Sequence, residues 1–269
     1  MPHAPATARA LLVPALSVSA LLAVAACSAD GRETARSLPA PYTAAPAPSS
    51  PAAPAAEQPA SAPTPPALGE EQVRAALITE ADLGEPWVPT RGAATWRDGL
   101  LKADTGNTDC RRLLDALYTE ELYGAPTGPR AVVALDDSVH DAQLRHQVAT
   151  HRPADVDRVL DWLGTLPETC GRFTATTTRA GAQDVGVEEL SLPEVGDARL
   201  ALRVTMAGET ADGEPTYLTV DLATVRVGEN VVVLTNGGFG EVLSEVTRAM
   251  THLGADRLAE VGRQARVRV

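Results

Sequence analysis

Three histidines, His140, His146 and His151, fall within a dozen residues, beside the carboxylates Asp136, Asp137 and Asp141. Imidazole and carboxylate are common metal ligands and common general acids and bases, so this stretch is the first place to look for chemistry. The spacing argues against a metal. Helical ligands recur at i, i+4, whereas these histidines step by six and then by five, and the second step changes strand face. The acids lack the alternating pattern and central glycine of a calcium loop. The expectation is surface histidines next to a solvated turn, with no metal and no cofactor.

The run GGFG, residues 237–240, precedes an amphipathic segment, and free amides at a helix start bind anions. It has neither the Lys nor the Ser/Thr of a phosphate loop and reads as a strand-to-helix connection. No GxSxG elbow occurs, and Ser138, Ser191 and Ser244 are the serines of the last two hundred residues. A glycan hydrolase needs two facing carboxylates, which a sequence with 35 acids does not single out. No catalytic constellation emerges, and the chain is not read as an enzyme. In a chain with 3% aromatics, Trp87, Trp96 and Trp162 are core anchors or the lining of a groove for a sugar or lipid.

Cysteines decide the compartment. Residues 1–26 combine one Arg with an apolar run from Leu11 to Ala26, too short and too rich in Ala and Ser for a membrane span, and read as a signal peptide. Val24-Ala25-Ala26-Cys27 resembles a bacterial lipobox, in which Cys27 is diacylated and becomes the new N-terminus. Two acyl chains hold a protein stably to a bilayer. Cys110 and Cys170, an even pair in an exported chain, are most simply a disulfide, worth about 4 kcal/mol for a loop of 60 residues.

Residues 27–68 carry the lipidation site and a linker. Ser37 to Leu68 contains ten prolines among Ala, Ser and Thr, and as polyproline II it would reach roughly 100 Å. Residues 69–269 form one domain carrying the formal charge of −12, which argues against nucleic acid or anionic lipid headgroups as partners.

Within it, residues 70–78 predict a helix, Thr79 and Asp82 a capping signal, and LGEPWVP at 83–89 a break. Leu113, Leu114, Leu117 and Leu122 mark a helix over 110–123. Val156, Val159, Leu160 and Leu163 mark another, starting at Pro153 and ended by Pro167. Strands are expected at 130–135, 143–150, 172–178, 185–192, 198–206, 216–227 and 230–235. A phase shift between Leu222 and Val225 predicts a bulge near Ala223, Gly228-Glu229 a hairpin turn, and Val231–Leu234 a central strand buried on both sides. Leu243, Val246, Met250 and Leu253 make a closing helix, broken at Gly254. The order implies an α+β fold, a mainly antiparallel sheet flanked by helices.

The TDC at Cys110, the helix ending in ETC at Cys170, the hairpin DLATVRVGENVVVL and the closing helix resemble the extracellular sensor domain of actinobacterial Ser/Thr kinases of the PknH type and related lipoproteins. The resemblance implies an α+β sheet with a cleft for an unidentified small ligand. Kinase-type members commonly carry two disulfides, whereas here one is available, and the chain has no kinase domain. The preponderance of Arg over the single Lys102 also fits an actinobacterium. The functional expectation is a lipid-anchored protein on the outer face of the cell membrane. It would bind a small molecule, lipid or sugar without catalysis, or act as an adaptor for a membrane or cell-wall protein.

Overall fold

The computed structural model describes residues 67–210 and 212–267. The signal peptide, Cys27 and nearly all of the linker lie outside the described residues. Nine strands make one antiparallel sheet: β1 (Trp87–Pro89), β2 (Ala103–Asp104), β3 (Arg130–Asp137), β4 (Ala142–Thr150), β5 (Arg172–Thr177), β6 (Gly181–Glu189), β7 (Ala198–Glu209), β8 (Pro215–Val227) and β9 (Asn230–Phe239). Their spatial order is β1-β3-β4-β9-β8-β7-β6-β5-β2. Strands β5 to β9 run as a meander, and β9 then pairs with β4. The helices are α1 (Glu70–Ala75), α2 (Glu80–Leu83), α3 (Thr108–Thr119), α4 (Pro153–Thr169) and α5 (Ser244–Val267), with a π-helical turn at Arg97–Leu101. The architecture is the α+β sheet flanked by helices that the sequence predicts.

Alternation along the central strands builds two cores. Leu218, Val220, Leu222, Val231 and Val233 face Leu113, Leu114 and Leu117 of α3 and Val156, Leu160, Leu163 and Leu166 of α4. Leu144, Val148, Val225, Val232 and Leu234 face α1 and α5. The two helix layers are offset. On the first face α4 packs over β6 and β7; on the second α1 lies over β3 and β4, and α5 over β8 and β9. Each face of the sheet therefore keeps one stretch with no helix packed closely on it: β3–β4 on the first, β5–β7 on the second.

Cys110 and Cys170 form the expected disulfide, both fully buried, tying the start of α3 to the end of α4. Thr79 and Asp82 make the capping box of α2, and Arg257 of α5 clamps the same Asp82 carboxylate through two nitrogens at 2.6 and 2.7 Å. That ion pair holds the Asp82 carboxyl at about 2, well below the ordinary carboxylate range.

Several expectations are corrected. The phase shift in β8 is no bulge, since pairing with both β7 and β9 runs without interruption past Ala223. Leu218, Val220 and Leu222 serve one core and Ala223 and Val225 the other side, so both phases are apolar. Pro167 lies inside α4, whose last turn continues to Thr169 before Cys170. Gly254 does not break α5: the helix is continuous, and the glycine makes room for His146, whose Nε2 would lie 2.2 Å from a Cβ there. Residues 83–89 do break the helical run, and their end then forms the edge strand β1 on β3. Leu68, assigned to the linker, is 5% exposed and belongs to the core with Val73 and Ala76.

Candidate functional site

The uncovered part of the first face, over β3 and β4, is where polar chemistry gathers. Period two places Arg130, Val132 and Asp136 of β3 beside Gln143, Arg145 and Gln147 of β4 on that face. Loops border it in place of a helix: Gln143 Nε2 donates to the Gly92 carbonyl, and the Thr127 amide donates to the Thr150 carbonyl. Val132 stays 40% exposed and Arg130 is open to solvent.

The first pillar of the site is a tryptophan. Gly237 of β9 has no side chain, and a Cβ there would lie 2.8 Å from the Trp96 ring, so the indole lies directly on the sheet. The neighbouring Arg97, in the π-helical turn, has its guanidinium 5.5 Å from the centre of that ring. Glu120 then closes α3 in the left-handed region, at φ +59°, a conformation costly for a residue with a side chain. Its carboxylate is shared by two arginines: one oxygen pairs with Arg97, the other with Arg145 Nε at 2.7 Å. The Arg97 and Arg145 side chains are only 10% and 12% exposed.

The network continues along β4. Arg145 Nη1 donates to Gln147 Oε1 at 3.1 Å, and Arg130 Nη2 donates to the same oxygen at 3.0 Å. Burial pushes the Arg145 pKa down; Arg130 and Arg97 push it the same way, and Glu120 opposes them. Arg97 Nε is buried without a partner among the described residues. The cluster of three guanidiniums and one carboxylate is thus short of negative charge, which is costly away from water. Asp136, the other carboxylate of this face of β3, is taken up by Thr90 Oγ1 and Gln143 Nε2. A crevice lined by Leu117, Leu122, Arg145, Leu222 and Val233 has room for about one water.

The predicted site residues are scattered. Trp96 is 4% exposed, a core anchor that places Arg97. Trp87 lies on the edge strand, half-buried with Ile78, Leu144 and Met250 on the other face. Trp162 is half-buried on α4, its Nε1 donating to Asp109 and its ring stacked under Arg112 at 3.7 Å. The three do not line a common groove. His140 is exposed, as expected, and pairs with Asp137. His146 and His151 are not surface residues, being 0% and 4% exposed: His146 points from β4 against Gly254 of α5, and His151, just after β4, has its ring 5.4 Å from that of Tyr123. Asp137 is also buried, its carboxyl held low by the Val139 and His140 amides and the His140 ring. Gly237 to Phe239 extend β9, and the connection to α5 starts after them. Among the described residues no group of three His, Cys, Asp or Glu side chains is arranged to hold a metal, and no helix is long and apolar enough to cross a membrane.

The chain is similar to the crystal structure of the extracellular domain of PknH from Mycobacterium tuberculosis, at 13% identity and a TM-score of 0.44, over 74% of this chain and 100% of that one. A second similarity, to the Saccharomyces cerevisiae Ran-binding protein Mog1p, has 12% identity and a TM-score of 0.25, over 51% of this chain and 76% of that one. No family model and no curated protein matches.

The arginines were missed because nothing in their linear spacing connects them. Arg97, Arg130 and Arg145 are separated by 33 and 15 residues and meet only through sheet pairing and the end of α3. One signal was legible: the alternation QLRHQ sets Gln143, Arg145 and Gln147 on one face of a strand, opposite Leu144, His146 and Val148.

Proposed function

We propose that this chain is a lipid-anchored, sensor-like binding protein of the outer membrane face, which takes a small ligand over β3 and β4 without catalysis. The observation that carries this reading is the buried Arg97–Glu120–Arg145 network, which meets the exposed Arg130 and Val132 on a stretch of sheet with no helix packed closely on it. A network kept only for stability would be sealed and balanced in charge; this one reaches solvent through Arg130 and is short of an anion. Acylation of Cys27 and the Pro-rich linker would hold the domain out from the bilayer.

Native mass spectrometry of the full-length chain in detergent, with and without denaturation, tests the reading. A discrete excess mass lost on denaturation supports it. A bare mass after purification at low ionic strength, with no response to any added small molecule, overturns it in favour of a protein-docking role. The uncovered face of β5–β7 would then be the place to look: a shallow hollow of about 720 Å³ lies there, lined by Arg172, Glu188, Thr205 and Tyr217.

A further inference from the structure

Two guanidiniums converge on one neutral oxygen. Arg130 Nη2 and Arg145 Nη1 both donate to Gln147 Oε1, at 3.0 and 3.1 Å, and this arrangement is how arginine pairs hold an oxyanion. Resting on the binding function above, we propose that the ligand is an oxyanion, a phosphate or carboxylate group, held between Arg130 and Arg145 where the Gln147 amide oxygen stands in for it.

Three further observations agree. Gln147 is 8% exposed and sits among charges, so its amide is an acceptor of modest strength in a place that favours a full negative charge. The carboxylate available to the buried arginines, Glu120, is already divided between Arg97 and Arg145, and Arg130 has no share in it. Arg130 is the exposed member, able to swing outward and close on an arriving group, while Arg145 is fixed by Glu120. The grip is therefore one rigid guanidinium and one mobile one, beside the exposed Val132, which offers a small apolar contact for the rest of the ligand.

The alternative is that Gln147 is simply the acceptor that completes a structural network. The two ideas separate on Gln147→Glu, which supplies the missing charge in cis. If the network lacks an anion, this variant is more stable than wild type and no longer takes an added one. If the network is complete, the variant gains nothing and its response to anions is unchanged.

The experiment is calorimetric titration of the full-length chain, at low ionic strength, with inorganic phosphate and separately with succinate. Three chains are compared: wild type, Arg130→Gln and Gln147→Glu. Expected are saturable binding of at least one probe to wild type, at least tenfold weaker binding to both variants, and a raised melting temperature for unliganded Gln147→Glu alone. Arg130→Gln is a surface change and keeps the test independent of any folding defect. The tighter probe names the class, tetrahedral phosphate or planar carboxylate. Co-sedimentation of the Cys27→Ala chain with phosphatidylglycerol vesicles, lost in Arg130→Gln, would name a lipid headgroup as the source; phosphate binding without it names a soluble anion.

Equal affinity in all three chains overturns the assignment. So does a neutral ligand in the native mass spectrum with no response to either anion, a result that leaves the binding function standing. No bound mass and no titration signal removes both.

Discussion

Acid should destabilise this fold well above the pH at which carboxylates protonate, and His146 is the cause. Its ring is fully buried on β4 beneath Gly254, with neither nitrogen hydrogen bonded among the described residues. Burial, helped by the nearby Arg257 guanidinium, lowers its pKa from 6.5 to about 3. The folded protein keeps the ring neutral, while the unfolded chain takes up a proton below 6.5. Stability is thus complete above that pH and is lost as pH falls towards 3. Linkage sets the loss at about 1.4 kcal/mol per pH unit, or about 2 kcal/mol between pH 8 and pH 5. For a domain of about 200 residues that is a drop of roughly 4–8 °C in Tm. Asp82 and Asp137, whose carboxyls are held low, give up their contribution only below their ordinary 3.8 and stay outside this window. His151, also pushed down by burial, acts in the same direction, so the informative quantity is the difference between wild type and His146→Leu, which keeps His151. Urea unfolding of both chains from pH 8 to pH 4.5 measures it. The stability advantage of wild type over the variant should shrink by about 2 kcal/mol on going to pH 5. Parallel pH profiles would refute the reasoning, because they would mean that the folded protein binds the His146 proton as readily as the unfolded chain does.

Gly254→Ala sets a methyl 2.2 Å from His146 Nε2, and lifting α5 to admit it should cost about 1–3 kcal/mol; a double-mutant cycle with His146→Ala should recover much of that in urea melts. Replacing both Cys110 and Cys170 by Ala opens a 60-residue loop and should remove about 4 kcal/mol, seen as a lower urea midpoint with a steeper slope, because the unfolded chain expands further without the crosslink. Because both sulfurs are fully buried, reductant alone should leave the disulfide intact until the protein is unfolded, which thiol labelling with and without urea will show. Cys27→Ala should release the chain from the membrane fraction into the medium and remove the mass of the acyl groups.

The fold was legible wherever a single period ran through an element. Leu113, Leu114 and Leu117 on α3, and Val156, Leu160 and Leu163 on α4, announce both helix and buried face, and the β8–β9 hairpin follows from Gly228 between two apolar runs. Reading failed where one residue answers to something distant. The glycine at 254 looks like a helix stop, yet its reason is a histidine ring more than a hundred residues earlier in the chain. Gly237 looks like a loop and is instead the floor under Trp96. The candidate site was the least legible part. It uses Glu120 at a helix end, Arg97 in a π-helical turn and alternate residues of two strands, a set assembled by topology with no linear pattern of its own.

The sign of the site runs against the sign of the molecule. A chain of net charge −12 repels anions at long range, so the three arginines act only within about a Debye length. The overall field thus slows the approach of an anion, and affinity has to come from short contacts that are partly shielded from solvent. Added salt then has two opposed effects, weakening the contact to the guanidiniums and relieving the repulsion from the acidic body. Binding at β3–β4 should therefore depend on salt less steeply than binding to the same arginine pair on a basic protein. A surface that merely collected counterions would show the reverse, a steep loss of anion binding with salt and no preference for one anion over another.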